Sequence, residues 1–177
     1  MKIWLDQVRE ETFDWSETQN VPVGVLERPE LLALGPVEWR GRIEFADPGF
    51  LLRARLSYEQ TLHCNRCLQP IVDRAGAEVD LLVLVERPRG VAGEQELHAD
   101  DLGVLTVFEE VLDTQPLLLE QLQLNIPMKP LCRTDCQGLC PECGADRNTA
   151  GACSCAEHAT DPRWAALASL RRRLGES

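Results

Sequence analysis

The chain of 177 residues has no apolar run approaching the length of a membrane span. Its first residues, MKIWLDQVRE, put Asp6 and Glu10 where a secretory signal needs unbroken apolar side chains. These two absences lead us to expect a cytoplasmic protein with no membrane partner. The sequence also lacks a Gly-rich phosphate loop and an HExxH pattern, and its three histidines have no evident acid or nucleophile partner. We therefore expect a protein that is not an enzyme and takes no small-molecule substrate. Positive charge is scarce too: 18 basic residues stand against 29 acidic ones, a net charge of −11. The shortage is uneven, since residues 1–127 hold 11 basic and 23 acidic residues while residues 128–177 hold 7 and 6. An acidic body repels a phosphate backbone, so any RNA contact should come from the near-neutral last third or through a basic protein.

Cysteine, by contrast, is abundant. Cys132, Cys136, Cys140, Cys143, Cys153 and Cys155 crowd into residues 131–155, and Cys64 and Cys67 lie far upstream in HCNRCLQP. In a reducing cytosol, clustered cysteines read as metal ligands or redox groups before they read as disulfides. Eight is twice four, which points to two tetrathiolate sites. Both Cys64-Asn65-Arg66-Cys67 and Cys140-Pro141-Glu142-Cys143 have the two-residue spacing that lets a tight turn aim both sulfurs at one ion, and Gly144 permits the left-handed turn that follows the second. The preferred partition places Cys140, Cys143, Cys153 and Cys155 in a local site. Cys64, Cys67, Cys132 and Cys136 then form a long-range one. A rival pairing joins the two CxxC knuckles, and the sequence alone leaves it open. His63, His158 and Asp135 are near enough in sequence to replace a thiolate, but each reads more simply as a bystander.

The chain between the cysteines is mainly β. The first 34 residues show no clear element. From Val37 the pattern alternates, with Val37, Trp39, Ile43 and Phe45 on one face and Glu38, Arg40, Arg42 and Glu44 on the other. Asp47, Pro48 and Gly49 supply a turn. The next strand carries Phe50, Leu52, Ala54, Leu56, Tyr58 and Leu62 inward and ends at the first knuckle. Ala75, Ala77, Val79, Leu81, Val83 and Val85 repeat the phase beyond it, so the knuckle should cap a long antiparallel hairpin. Residues 86–101, with Pro88, Gly90 and Gly93, read as a surface loop that includes His98. Val104, Thr106 and Phe108 suggest a strand returning to the sheet. Asp113 or Thr114 can cap a helix with Pro116 in its first turn and Leu117, Leu118, Leu122 and Leu124 as its stripe, stopped by Pro127 and Pro130. Asp161 and Pro162 open a second helix with Trp164, Leu167, Ala168 and Leu174 on one side and Arg171, Arg172 and Arg173 at its end, where cations suit the helix dipole.

The expected fold is thus α+β but mainly β: an antiparallel sheet or partly closed barrel with one packed helix, a Cys-rich zinc module and a C-terminal helix. Its parts are an acidic body at 1–127, a metal module at 128–160 packed on it, and the helix at 161–177. Zinc in small Cys-rich sites is worth roughly 10–16 kcal/mol against a domain stability of about 5–15 kcal/mol, so two structural zinc ions would decide whether the last third folds. Four thiolates also leave no open position for water or substrate. Cys136, Cys140 and Cys143 share the CxxxCxxC spacing of radical-SAM enzymes, but only 34 residues follow Cys143, too few for their barrel. Zinc is preferred over another iron–sulfur cluster because of the CPxCG knuckle. A nuclease would need clustered carboxylates, and Glu109, Glu110 and Asp113 are the dense candidates; solubilising surface charge explains them more simply.

Taken in order, HCNRCLQP after a β-rich half, LNIPMKPLCRTDCQGLCPECGADRN with its later CSC, and the closing DPRWAALASLRRRL resemble the YceD family of large ribosomal RNA accumulation proteins in its cysteine-rich form. The resemblance spans residues 52–174. It implies a non-enzymatic, bacterial-type ribosome biogenesis factor required for accumulation or maturation of large-subunit ribosomal RNA, with the large-subunit precursor, a ribosomal protein or rRNA as partner. Arg163, Arg171, Arg172 and Arg173 are the candidate RNA or partner contacts, although dipole compensation and solubility account for the last three equally well. The alternative is a stand-alone zinc-dependent RNA-binding module, which the acidic body disfavours.

Overall fold

The computed structural model describes residues 1–86 and 103–149 and the single positions 153, 155 and 167. The elements are β1 (Lys2–Trp4), α1 (Leu5–Val8), β2 (Phe13–Gln19), β3 (Leu31–Leu34), β4 (Val37–Ala46), β5 (Gly49–His63), β6 (Pro70–Val85), β7 (Val104–Val107), β8 (Val111–Asp113) and α2 (Thr114–Asn125). The main sheet runs β2-β4-β5-β6-β7, with β3 alongside β5, and β1 and β8 form a separate pair. The sheet is open rather than barrel-like, with β2 and β7 at its two ends.

Period-two patterning dictates this sheet. On the inward phase of β4 and β5, Val37, Trp39, Ile43, Phe50, Leu52, Ala54, Leu56, Tyr58 and Leu62 are buried in one core with Val79 and Val83 of β6. Phe45 keeps the phase of its strand but lies at the hairpin end, where it is exposed, with the Arg9 guanidinium over its ring at 5.1 Å and the Phe50 ring edge-on at 5.5 Å. The solvent face is a charge ladder: Arg42 to Asp14 at 2.7 Å, Arg55 to Glu78 at 3.0 Å and Arg53 to Glu44 at 3.6 Å. Each pair is exposed, so water and salt screen it and it carries little weight in stability. The Asp47–Pro48 turn, with its peptide bond cis, joins β4 to β5 in a hairpin closed by Ala46 opposite Gly49.

The pairing is antiparallel throughout except at the last step, where β7 runs parallel to β6 with Val104 beside Leu82. The strand at 104–107 therefore does not return by a hairpin, and Phe108, expected within it, lies outside and exposed. α2 matches its capping signals: Asp113 Oδ1 accepts the Gln115 N–H at 3.0 Å, and Leu117, Leu118 and Leu122 are buried in the core. Leu124 is exposed, because two residues beyond Leu122 lies about 200° around the helix, off the stripe. The first 34 residues, featureless as a sequence, contribute Ile3, Leu5, Val8, Trp15, Val21, Leu26 and Leu31 to the core. The predicted loop at 86–101 and the C-terminal helix at 161–177 fall almost wholly outside the described residues.

Candidate metal centre

β5 and β6 remain paired right up to the turn between them, with His63, the last residue of β5, opposite Pro70, the first of β6. Within the turn that joins them the Cys64 N–H donates to the Gln69 carbonyl and the Leu68 N–H to the Cys64 carbonyl, both at 2.9 Å. Leu68 takes a positive φ of 60° to close the turn. The knuckle is thus the tip of a long hairpin, and both of its thiols are buried.

The chain meets this tip again after α2. The Asn65 N–H donates to the Pro130 carbonyl at 2.8 Å, and the Arg66 guanidinium donates to the Cys136 carbonyl at 2.8 Å. Those contacts set Cys132 Sγ 3.6 Å from Cys67 Sγ and Cys136 Sγ 3.8 Å from Cys64 Sγ. Metal–sulfur bonds of about 2.3 Å in a tetrahedron put the sulfurs about 3.8 Å apart. A disulfide would need about 2.05 Å. All four sulfurs lie within 4.8 Å of one another. The observed spacing fits a four-coordinate ion and no disulfide.

Gly138 makes the junction close. It has φ +70°, the Leu139 N–H donates to the Arg66 carbonyl at 3.1 Å, and a Cβ on Gly138 would stand 2.9 Å from that same oxygen. Beyond it, Cys140, Cys143, Cys153 and Cys155 form the second group, also within 4.8 Å. Its knuckle is closed by the Gly144 N–H on the Cys140 carbonyl and the Cys140 N–H on the Ala145 carbonyl, both at 2.8 Å, with Gly144 at φ +73°. The eight thiols therefore divide between the groups as the preferred partition has them, and the pairing of the two knuckles with each other does not occur.

The thiols of each group are pulled in opposite directions. Burial pushes Cys64 up, but backbone N–H groups of Cys67, Cys132 and Arg66 outweigh it and bring the thiol down to about 6. Cys132 is held at about 12 by desolvation and by the Cys136, Cys67 and Cys64 thiols, although the residue as a whole is exposed. In the second group, hydrogen bonding from the Cys143 backbone and the Cys153 thiol lowers Cys140 to about 6, while the Cys143 thiol and desolvation raise Cys155 to about 12. Four sulfurs this close resist ionising together. A divalent cation at the centre of each group would remove that conflict.

The remaining candidates stay apart from the two groups. His63 turns its Nδ1 to the Leu68 carbonyl at 2.9 Å, and Asp135 faces Arg133 at 3.4 Å. Glu110 lies 3.9 Å from Arg9, and Asp113 caps α2, so the acidic stretch is used locally. Among the described residues no carboxylate group able to hold a metal occurs. Arg163, Arg171, Arg172, Arg173, His98 and His158 lie outside the described residues. Arg66, Gly138 and Asn148, which shape the sites, were not expected from the sequence; of the three only Asn148 had an available signal, the Asp-x-Asn turn motif at 146–148.

An open sheet whose longest hairpin ends in a cysteine knuckle, completed by two further cysteines beyond a helix and followed by a second four-cysteine group, defines a Cys-rich β protein with two candidate metal centres. A family model described as large ribosomal RNA subunit accumulation protein YceD matches residues 52–171, and the chain belongs to that family. The family name supports a ribosome-related role and denotes accumulation rather than a reaction. An uncharacterized protein of Mycobacterium tuberculosis is 31% identical over 129 residues, covering 73% of this chain and 59% of its own length. The large ribosomal RNA subunit accumulation protein YCED homolog 1, chloroplastic, of Zea mays is 27% identical over 54% of this chain and 40% of that protein. The uncharacterized YlbN of Bacillus subtilis is 23% identical over 98% and 96%. The chain thus spans about three-fifths of the length of the mycobacterial relatives it matches. No solved structure matches it significantly.

Proposed function

We propose that this protein is a cytoplasmic, non-enzymatic ribosome biogenesis factor that supports accumulation or maturation of large-subunit ribosomal RNA and carries two structural zinc ions. The observation that carries the reading is the gathering of all eight cysteines into two tetrathiolate groups inside a segment that matches the YceD family. Zinc is favoured by the all-sulfur donor set, by the spacing of the sulfurs and by the CPxCG knuckle, and filled shells leave the ions no catalytic position. The acidic body, residues 1–127, docks a basic ribosomal protein or assembly factor. The metal module, 128–160, and Arg163 and Arg171 to Arg173 contact precursor RNA. The charge difference between the two parts supports this division.

The test combines depletion in the source cell with sedimentation of the tagged chain at moderate salt. Loss of large-subunit relative to small-subunit RNA, and migration with large-subunit precursors, are expected. Free migration together with an unchanged RNA ratio would sink the proposal. Tight, strongly salt-dependent binding of the purified protein to naked RNA, lost on replacing the three terminal arginines, would favour the stand-alone RNA-binding reading instead.

A further inference from the structure

Asn148 belongs in sequence to the local group, between Cys143 and Cys153, yet its side chain reaches the long-range one. Its Oδ1 accepts the Gln137 N–H at 2.7 Å and Arg133 Nη2 at 2.9 Å. Both partners can only donate, so the amide has one orientation, with its nitrogen turned the other way. That nitrogen donates to Asp146 Oδ1 at 2.7 Å and to Cys136 Sγ at 3.4 Å. The amide thus makes four hydrogen bonds, two through each end. Asp146 is itself anchored, since it pairs with Leu139 in a short bridge and its Oδ1 also accepts the Asn148 N–H at 2.9 Å. The residue that closes on Cys136 is therefore held by the turn that the second knuckle begins.

We propose that Asn148 is a positioning residue that couples the two tetrathiolate sites. Metal in the local site holds the described turn from Cys143 to Thr149 in place, which sets the Asn148 side-chain N–H against the Cys136 sulfur and tightens the hold of the long-range site on its ion. An N–H aimed at a bound sulfur stabilises the charge that the sulfur carries toward the metal. The effect is reciprocal, as any linkage between two binding events must be. The proposal rests on the metal reading above but adds what that reading does not require, since two structural ions could equally sit in independent sites.

The experiment uses the full chain, loaded with zinc under reducing conditions and challenged with a chelator. Alkylation followed by peptide mapping reports when each cysteine is released. In the unaltered protein, Cys143→Ser should speed the release of Cys64, Cys67, Cys132 and Cys136 by about 10- to 100-fold, the usual cost of losing an outer partner of a ligand. In an Asn148→Ala background the same substitution should add nothing at those four positions. Equal acceleration in both backgrounds, or none in either, would overturn the coupling. A variant that leaves every cysteine in place gives a second reading: Asn148→Asp combined with Asp146→Asn keeps the oxygen that anchors Gln137 and Arg133 and avoids two facing carboxylates, but removes the N–H toward Cys136. With cobalt in place of zinc it should shift the sulfur-to-metal absorption band and lose the long-range ion faster; an unchanged band and rate would count against the proposal even if Cys143→Ser proved too disruptive to interpret. An unaltered chain that holds no metal would overturn both this inference and the reading beneath it, whereas two tightly held ions with independent release would overturn the coupling alone.

Discussion

The two cysteine groups share a ligand set and differ in what they connect. The long-range group joins sulfurs 65 and 72 residues apart in the chain, buries three of its four cysteines and packs against Ile71, Leu131 and Leu139. The local group draws on residues 140–155 alone, and only Cys140 is buried. The main hydrophobic core reaches Ile126 and takes in no described residue beyond it. A segment with almost nothing to contribute to that core must be held by something else. One group fastens the segment to the sheet, the other fastens the segment to itself, and their losses should not look alike.

The sharpest break in the comparison is Cys136→Ser against Cys155→Ser. Structural zinc is worth roughly 10–16 kcal/mol, so each should cost one ion per chain by metal analysis. Only Cys136→Ser should open the 128–149 segment to protease as a whole while the sheet still unfolds cooperatively; Cys155→Ser should expose mainly the stretch around its own knuckle. Next in size, Trp39→Ala removes a fully buried ring from the sheet and should lower unfolding free energy by about 3–5 kcal/mol in a denaturant titration. Metal retention at the local group should change little, which separates the two kinds of stability.

Gly138→Ala and Gly144→Ala sharpen the contrast further. Both force an L side chain into the left-handed region, at about 1–2 kcal/mol each. At Gly138 the new methyl also meets the Arg66 carbonyl, whereas at Gly144 nothing lies within 4 Å. Gly138→Ala should therefore speed chelator release of the long-range ion well beyond what Gly144→Ala does to the local one. The smallest effect is expected from Asp113→Ala, which removes the cap of α2 and should cost about 0.5–2 kcal/mol in thermal unfolding without changing metal content.

Much of this was written in the sequence, and the parts that were not share a cause. β4, β5 and β6 are long enough for alternation to declare itself, and α2 carries both a cap and an apolar stripe. The N-terminal elements are three to seven residues long, and β1 finds its partner in β8, more than a hundred residues away. No local period can report a pairing of that kind, so Ile3, Leu5 and Trp15 read as scattered apolar residues. The parallel step from β6 to β7 was hidden for the same reason. Knuckle spacing disclosed the cysteines because each pair is local, while Gly138 and Asn148 matter through contacts with Arg66 and Cys136, and only Asn148 sits in a turn whose sequence hinted at it.

The hairpin of β5 and β6 has one more consequence. Its strands extend roughly 50 Å from the Asp47–Pro48 end to the knuckle. Fourteen cross-strand pairs run from Phe50 through His63, and a slip of one step would turn every inward residue outward. The same slip would swing one of the tip sulfurs off its ion. A bound cation would thus accept a single alignment of the whole ribbon and reject its neighbours, acting as a proofreader for the sheet from a point at its far extremity.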